Sequence, residues 1–393
     1  MAPEETIERV RPFLPVMGIT RVANVTGLDS IGVPVVMVCR PNSWALSVSQ
    51  GKGLTLVAAK ASGLFESIEM YHAERITLPL KLASLEDLRY THCVVDVMQL
   101  PRSATSVYHP HLPILWIEGY DILQQEEIWV PFAVVHCNYC LPMPVSMGCL
   151  PVTSDGLASG NHLLEAISHA ICEMVERDAN TLWELRGAGE KARTRLNLST
   201  VDDAGCREVL ERCARAGVDV AVWDATSDVG MPTFVCWIAD QAATDPMRLL
   251  YASAGMGTHP TRQIALLRAL TEAVQSRLTF ISGARDDMFH SQYEEQRQRD
   301  TIEYHRLQMA SSMPVRNFHD VPSFEAETFD EDVSWELARL RGAGIKRVIV
   351  VDLTKPEFRI PVVRVVIPGL ESIARDIPDY LLGSRARAVL EGK

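Results

Sequence analysis

Acidic side chains that could bind a metal ion are concentrated in residues 157–187 of this 393-residue chain. As one long helix with about 100° between residues, this segment would place Glu165 and Glu176 roughly 20° apart. Glu173 would lie about 60° from Glu176, and Asn161 about 40° from Glu165. The spacing therefore predicts three carboxylates and one amide on a single helix face.

Such a face has an ordinary interpretation and a functional one. Like charges at helical spacing repel by some tenths of a kcal/mol per pair, and a solvated acidic surface is the ordinary interpretation. A bound cation would remove the repulsion. Carboxylate and amide oxygens suit Mg²⁺, which binds a few carboxylates together with substrate phosphates.

Two further segments, 60–74 and 260–280, repeat the pattern on predicted helices. In each segment a polar residue is followed by a glutamate four positions later and by an acid or amide after three more. One triplet is commonplace, but three triplets on otherwise apolar helices favour a shared site. The triplets are Ser62/Glu66/Glu69, His169/Glu173/Glu176 and Arg268/Glu272/Gln275.

Two basic residues could bind phosphate. Lys52 lies in a Gly-Lys-Gly turn, where the glycines allow close backbone approach; an ordinary surface turn is the alternative. Arg177 follows Glu176 at about 100° around the helix, where it could bind phosphate or pair with a carboxylate. The chain has no Walker A sequence, so any nucleotide site is of an unusual kind.

The elements that would position these residues follow a recurring order. Four apolar segments, each containing an early proline, are predicted as strands. Helix, glycine turn and strand follow one another at 206–228 and again at 335–354. This order predicts an α+β fold, with repeated helix–strand units around mostly antiparallel sheets. The four predicted strand segments are 32–41, 129–137, 230–238 and 360–369.

Composition narrows the class of protein. The length of 393 residues allows two or three domains, and a charged helical excursion is predicted at 284–330. A net charge of −12 argues against a nucleic-acid partner. Prolines interrupt the uncharged stretch 128–154, which argues against a membrane segment. Nine scattered cysteines indicate reduced thiols in the cytoplasm, and a homodimer is compatible with this size.

The motifs around the three triplets resemble those of the YcaO family of ATP-dependent enzymes that activate backbone amides. The resemblance covers roughly residues 4–375, and the opening and closing segments are similar to its TfuA-associated branch. The motifs that carry it are SQGKG, ASGLFESIE, GLASGN, EMVERDA and RALTEAVQSR, together with GITRVANVTGLDSIGVPVVMVCRP and IPVVRVVIPGLES.

The resemblance implies a YcaO-like fold, a single catalytic domain over 1–393, with a helix-lined site for ATP and Mg²⁺. It implies Mg²⁺ ligation by Glu66, Glu69, Glu165, Glu173, Glu176 and Glu272. ATP contacts are expected from Thr6, Lys52, Ser62, Glu66, Asn161, Arg177 and Gln275. Glu173, Glu176 and Arg177 are the predicted catalytic residues. A basic residue that the family carries a few positions before Thr6 has no counterpart here, so one nucleotide contact is in doubt.

The family mechanism implies that a nucleophile attacks a peptide carbonyl, whose oxygen takes the γ-phosphate of ATP. External sulfide then gives a thioamide, and a Cys, Ser or Thr side chain gives an azoline. The chain ends AVLEGK, without the proline-rich tail of many azoline-forming members. We therefore expect thioamide formation on a peptide or protein, with a TfuA-like partner and a sulfide source. Azoline or amidine formation, or a non-catalytic nucleotide-binding scaffold or accessory role, are the alternatives.

Overall fold

The computed structural model describes residues 1–142, 148–241, 252–310, 313–372 and 377–392. Its strands are β1 (Arg21–Asn24), β2 (Val35–Cys39), β3 (Val48–Lys52), β4 (Leu80–Ala83), β5 (Ile114–Asp121), β6 (Glu126–Pro131), β7 (Leu157–Ser159), β8 (Val218–Asp224), β9 (Thr233–Asp240), β10 (Ser253–Thr258), β11 (Ile349–Asp352) and β12 (Val362–Val366). Its helices are α1 (Pro3–Val10), α2 (Leu56–Glu74), α3 (Leu85–Leu88), α4 (Leu163–Leu185), α5 (Ala188–Arg193), α6 (Ala204–Arg215), α7 (Arg262–Ser282), α8 (His290–Arg297), α9 (Arg299–Ala310), α10 (Phe329–Gly342) and α11 (Ser384–Leu390).

The chain forms two compact units. The first unit comprises 1–67, 186–226 and 230–325, and the second comprises 68–185, 227–229 and 326–393. Helix α2 is divided between them after Ser67. This division does not decide whether the chain is one catalytic domain, which stays a prediction.

The first unit contains two three-stranded antiparallel sheets, in the orders β1-β2-β3 and β10-β9-β8. Helix α7 packs against β10 and β9, because its apolar side chains face the same core as theirs. Val35, Val222, Phe234 and Leu266 all lie in this core with at most 1% of their surface exposed. The charged excursion predicted within 284–330 contains α8 and α9.

The second unit contains an antiparallel sheet in the order β4-β5-β11-β12-β7, with β6 paired to β5. Helix α4 packs against β12 and β7, and α10 and α11 pack against α4. The side chain of Thr328 begins α10 by accepting the backbone N–H of Glu331. The predicted α+β class, with mostly antiparallel sheets, is confirmed.

Two element predictions are wrong in part. The segment 129–137 is not a strand opened by proline: Pro131 ends β6, and a 3₁₀ turn follows at Phe132–Val134. The segment 157–187 is not one helix, because Leu157–Ser159 pairs with β12 as strand β7 and the helix begins at Leu163. The uncharged stretch 128–154 includes 143–147, which lies outside the described residues. Within the described ranges, every helix is too short or too polar to span a bilayer.

Candidate functional site

Two strand–helix pairs in the first unit hold a glutamate in the same way. Glu66 on α2 accepts the backbone N–H of Gln50 on β3 at 3.3 Å. Glu272 on α7 accepts the backbone N–H of Met256 on β10 at 3.2 Å. Both bonds join residues 16 positions apart. The two carboxylates are therefore fixed to the strand that precedes their own helix.

Glycines allow each strand to approach its helix this closely. A Cβ at Gly51 would lie 2.1 Å from the carbonyl oxygen of Ala59 and 2.1 Å from the backbone nitrogen of Gly63. A Cβ at Gly255 would lie 2.2 Å from the nitrogen of Ala273. Because real Cβ atoms do not approach backbone so closely, both pairs need glycine at the contact.

A lysine joins the two pairs within the first unit. The Lys52 ammonium lies 2.8 Å from Glu272 Oε2, so one oxygen of Glu272 binds the strand and the other binds a cation. Both side chains keep about a quarter of their surface exposed, at 23% and 26%. The predicted phosphate-binding lysine is thus paired with a predicted Mg²⁺ ligand.

Amide side chains lie beside this ion pair. Gln275 Nε2 donates to Gln50 Oε1 at 3.4 Å, and the Thr279 hydroxyl donates to the same oxygen at 2.6 Å. Gln275 Oε1 and Gln50 Nε2 are buried and have no hydrogen-bond partner in the described part of the chain. Unused polar capacity therefore remains next to the carboxylates, as expected of a site that binds a polar ligand.

Sequence reasoning missed Arg285, which lies close to one of the predicted ligands. Its Nε donates to Asp287 Oδ1 at 2.7 Å. That hydrogen bond raises the pKa of the Arg285 guanidinium, and the nearby Glu66 carboxylate adds to the effect. Arg285 follows the end of α7 in a charged loop without periodicity, so no local pattern marks it.

The second unit gathers its carboxylates around one arginine. Arg177 Nη2 lies 3.0 Å from Glu173 Oε1, and its Nε lies 3.4 Å from Asp155 Oδ1. Its Nη1 lies 4.0 Å from Glu176 Oε1. Asp155 was not predicted; it precedes β7 in the turn Thr-Ser-Asp-Gly, and this turn composition is the only sequence signal for it.

The two carboxylate oxygens of Glu173 have different partners, a backbone N–H and a cation, as do those of Glu272. Its Oε2 accepts the backbone N–H of Gly156 at 3.2 Å, while its Oε1 binds Arg177. Burial raises the pKa of Glu173, although the Arg177 charge opposes that shift. The neighbouring Glu176 side chain is 4% exposed. A cation delivered to this face would therefore relieve a desolvated negative charge.

Two more predicted ligands in the second unit are held by backbone donors. Glu69 Oε1 accepts the N–H of Ser159 at 2.9 Å and its hydroxyl at 2.7 Å. Glu165 Oε2 accepts the N–H of Asn161 at 2.8 Å. Asn161 lies before α4 instead of on its face, so the predicted helical angle between Asn161 and Glu165 is wrong. The reason is that β7 and its turn occupy the first residues of the segment.

The remaining predicted contacts are placed as follows. Thr6 is buried on α1, and its hydroxyl donates to the Ala2 carbonyl at 3.1 Å. Ser62 is exposed on α2. The first unit holds Thr6, Lys52, Ser62, Glu66, Glu272 and Gln275, and the second holds Glu69, Asn161, Glu165, Glu173, Glu176 and Arg177.

The donor set fits Mg²⁺ and a triphosphate in type. Each unit supplies carboxylate oxygens, which Mg²⁺ prefers, and a cation that could bind phosphate. Among the residues that the structure describes, no group of three or more His, Cys, Asp or Glu side chains is arranged to hold a metal ion. Lys52 engages one oxygen of Glu272, and Arg177 engages one oxygen of Glu173. The ligand assignments stay predictions.

Comparison with known proteins gives the family. A family model described as "YcaO cyclodehydratase, ATP- and Mg²⁺-binding" matches residues 50–371. The uncharacterised protein in the tfuA 3′ region of Rhizobium leguminosarum bv. trifolii is 34% identical over 374 residues, which are 94% of this chain and 88% of that relative.

Two solved structures share the fold. YcaO from Methanopyrus kandleri, bound with AMPPCP and Mg²⁺, matches with a TM-score of 0.74 and 22% identity over 96% of this chain and 93% of that one. A heterocyclase in complex with substrate and cofactor matches with a TM-score of 0.78 and 23% identity over 95% of this chain. The match spans 52% of that heterocyclase. The predicted family and the predicted cofactors are confirmed: this chain belongs to the YcaO family, whose model is described as ATP- and Mg²⁺-binding.

Proposed function

We propose that this protein uses ATP and Mg²⁺ to convert a backbone amide of a peptide or protein into a thioamide. Sulfide adds to the amide carbon, the amide oxygen takes the γ-phosphoryl group of ATP, and phosphate leaves. The products are the thioamide, ADP and phosphate. The observation that carries the proposal is made at Glu272 and Glu173. In both glutamates one carboxylate oxygen accepts a backbone N–H, and the other oxygen lies beside a cation.

In this proposal the ion pairs exchange partners when the nucleotide binds. The carboxylates would pass to Mg²⁺, and the freed Lys52 and Arg177 side chains would bind phosphate oxygens. Because the backbone N–H groups of Met256 and Gly156 keep their hydrogen bonds, the carboxylates need not move. Fixed charges of this kind are the main contribution that a protein makes to phosphoryl transfer.

A relative's name supports the choice of a thioamide and of a TfuA-like partner, since that relative is the protein in the tfuA 3′ region. An azoline-forming cyclodehydratase is the second candidate, and the description of the matching family model favours it. All nine cysteines are thiols that form no disulfide, which supports a reducing compartment, the cytoplasm. A homodimer stays a prediction.

Mass spectrometry of the peptide separates these reactions. The protein is incubated with ATP, Mg²⁺, a sulfide source, a TfuA-like protein and its native peptide. We expect the exchange of one oxygen for one sulfur, whereas an azoline would appear as loss of water. Omission of ATP is the matched control. The absence of ATP turnover with every combination of partners would contradict both reactions and favour the scaffold alternative.

Thermal unfolding tests the nucleotide site without the peptide. ATP with Mg²⁺ should raise the melting temperature, because a ligand that binds only the native state stabilises it by mass action. Glu176→Gln should abolish that rise. Glu127→Gln is the matched control, because Glu127 is an exposed acid of the same unit and is not a predicted site residue. If ATP raised the melting temperature of Glu176→Gln as much as that of the native protein, Glu176 would not belong to the nucleotide site.

A further inference from the structure

A cavity of about 420 Å³ lies wholly within the second unit and is lined by none of the predicted site residues. Its size falls within the range of small-ligand pockets. Its walls come from 98–102, 343–346, 368–371 and 380–387. The reaction proposed above does not use this cavity.

Three cations line the cavity without an anionic partner. In the described part of the chain, Arg102, Lys346 and Arg387 form no ion pair, and the only side-chain hydrogen bond among them is from Arg387 Nε to the Gly383 carbonyl at 3.1 Å. Arg385, which also lines the cavity, binds Asp178 through two hydrogen bonds of 2.9 Å. Among the lining residues these cations outnumber the single carboxylate, Glu371, so in a chain of net charge −12 the cavity concentrates positive charge that attracts an anion.

The wall segment that carries Arg387 is held in place. The Glu371 side chain is 1% exposed and accepts hydrogen bonds from the Tyr380 hydroxyl at 2.8 Å and the Gly383 N–H at 2.9 Å. Its other oxygen accepts the N–H of Ala386 at 3.0 Å. Because both oxygens serve this segment, that part of the cavity wall is formed before any ligand arrives.

Apolar side chains line the cavity together with the cations. Met98 and Leu381 line the cavity and remain 59% and 41% exposed, while Leu370 forms a buried part of the wall. A small inorganic anion would leave this apolar surface in water, whereas acidic and apolar side chains on one extended segment would use both surfaces.

We propose that this cavity binds an acidic peptide segment. That the segment belongs to the peptide substrate rests on the proposed function; the binding of an acidic peptide does not.

Fluorescence anisotropy with a labelled peptide of alternating glutamate and leucine tests the proposal, with a glutamine–leucine peptide as the neutral probe. The cavity variant and the control variant each remove three positive charges. The cavity variant is R102Q/K346Q/R387Q, and the control is R21Q/R207Q/R341Q, whose side chains are exposed and outside the cavity. We expect the cavity variant to bind the acidic probe about tenfold more weakly, and the control to bind it as the native protein does.

Several results would overturn the proposal. They are equal binding by the cavity variant and the control, equal weakening in both, equal affinity for the two peptides, and no binding of the acidic probe at all. If inorganic phosphate displaced the probe as readily as an unlabelled acidic peptide does, the cavity would be a site for a simple anion and the proposal of a peptide would be wrong. The ATP-dependent rise in melting temperature should persist in the cavity variant, so failure of this proposal and failure of the proposed reaction are distinguishable.

Discussion

The two units hold carboxylates of the same type in different surroundings. In the first unit, Glu272 pairs with the flexible Lys52 side chain, and both are about one quarter exposed. In the second unit, Arg177 is 21% exposed, close to the value for Lys52, but it is shared by Glu173, Asp155 and Glu176, and the Glu176 side chain is only 4% exposed. We therefore expect the first unit to tolerate loss of its cation, whereas in the second unit the cation also offsets a buried carboxylate.

The largest loss of stability is expected at the contact between β3 and α2 in the first unit, where a Cβ atom has no room. Gly51→Ala would place a Cβ 2.1 Å from backbone atoms of α2, so strand β3 must separate from the helix. We expect a loss of about 4 kcal/mol or more in the free energy of unfolding, measured in urea. Gly187→Ala is the control, since its Cβ meets nothing within 4 Å. Equal stability of the two variants would contradict the close contact.

Arg177→Met tests the carboxylates of the second unit that share this arginine. It leaves Glu173 and Asp155 without their shared cation, and we expect a loss of about 3 kcal/mol in the free energy of unfolding. Arg177→Lys should restore part of this loss, because it returns one charge but not the fork of nitrogens. If Arg177→Met lost no more stability than Lys52→Met in the first unit, the expected difference between the two units would be contradicted.

Helix α4 also packs against a buried acid on α10. Burial raises the pKa of Glu336 to about 8 from 4.5, although hydrogen bonds from Ser168 and Cys172 oppose the shift. The folded protein therefore holds a proton that the unfolded chain loses. Stability from this group is fully present below pH 4.5 and falls as the pH rises to about 8, by about 1 kcal/mol per pH unit.

Glu336→Gln should flatten that pH dependence, since the amide oxygen can still accept the Ser168 hydroxyl at any pH. Unfolding in urea at pH values between 5 and 8 measures it. Glu391→Gln serves as the control, because Glu391 is an exposed acid of the same unit. An unchanged slope in Glu336→Gln would mean that Glu336 is ionised in the folded protein.

The smallest effect is expected at Lys52. Lys52→Met removes one partly exposed ion pair, so the free energy of unfolding should fall by less than about 1 kcal/mol, and by less still in high salt. The ATP-dependent rise in melting temperature should nevertheless shrink, because Lys52 is a predicted phosphate contact. A large loss of stability with an intact response to ATP would reverse the roles assigned to Lys52 and Arg177.

The helical pattern predicted the positions of the ligand-bearing helices well. Glu66 and Glu69 lie on α2, Glu173 and Glu176 on α4, and Glu272 on α7, because the three- and four-residue spacing is a local property that a helix preserves. The start of α4 was not predictable in the same way. The preceding residues pair with β12, about two hundred residues away, and local propensity does not report such pairing.

Contacts within the site were less accessible to sequence reasoning. Lys52 and Glu272 are separated by 220 residues, so their ion pair follows only from the packing of β3 and α7. Asp155 and Arg285 lie in turns, where spacing carries no periodic signal. The proline rule was correct at Pro34, Pro232 and Pro361 but failed at Pro131, because a proline can end a strand as well as precede one.

The divided use of carboxylate oxygens has a consequence for metal choice. At Glu272 and Glu173 one oxygen already accepts a backbone N–H, which favours binding of an incoming ion through the other oxygen alone. Such monodentate ligands suit the compact octahedral shell of Mg²⁺, which keeps several waters. Ca²⁺ takes six to eight oxygens and often binds carboxylates through both. Under the proposed function, Ca²⁺ should therefore be a poor substitute, and the preference would originate in the backbone of β10 and of the turn before β7.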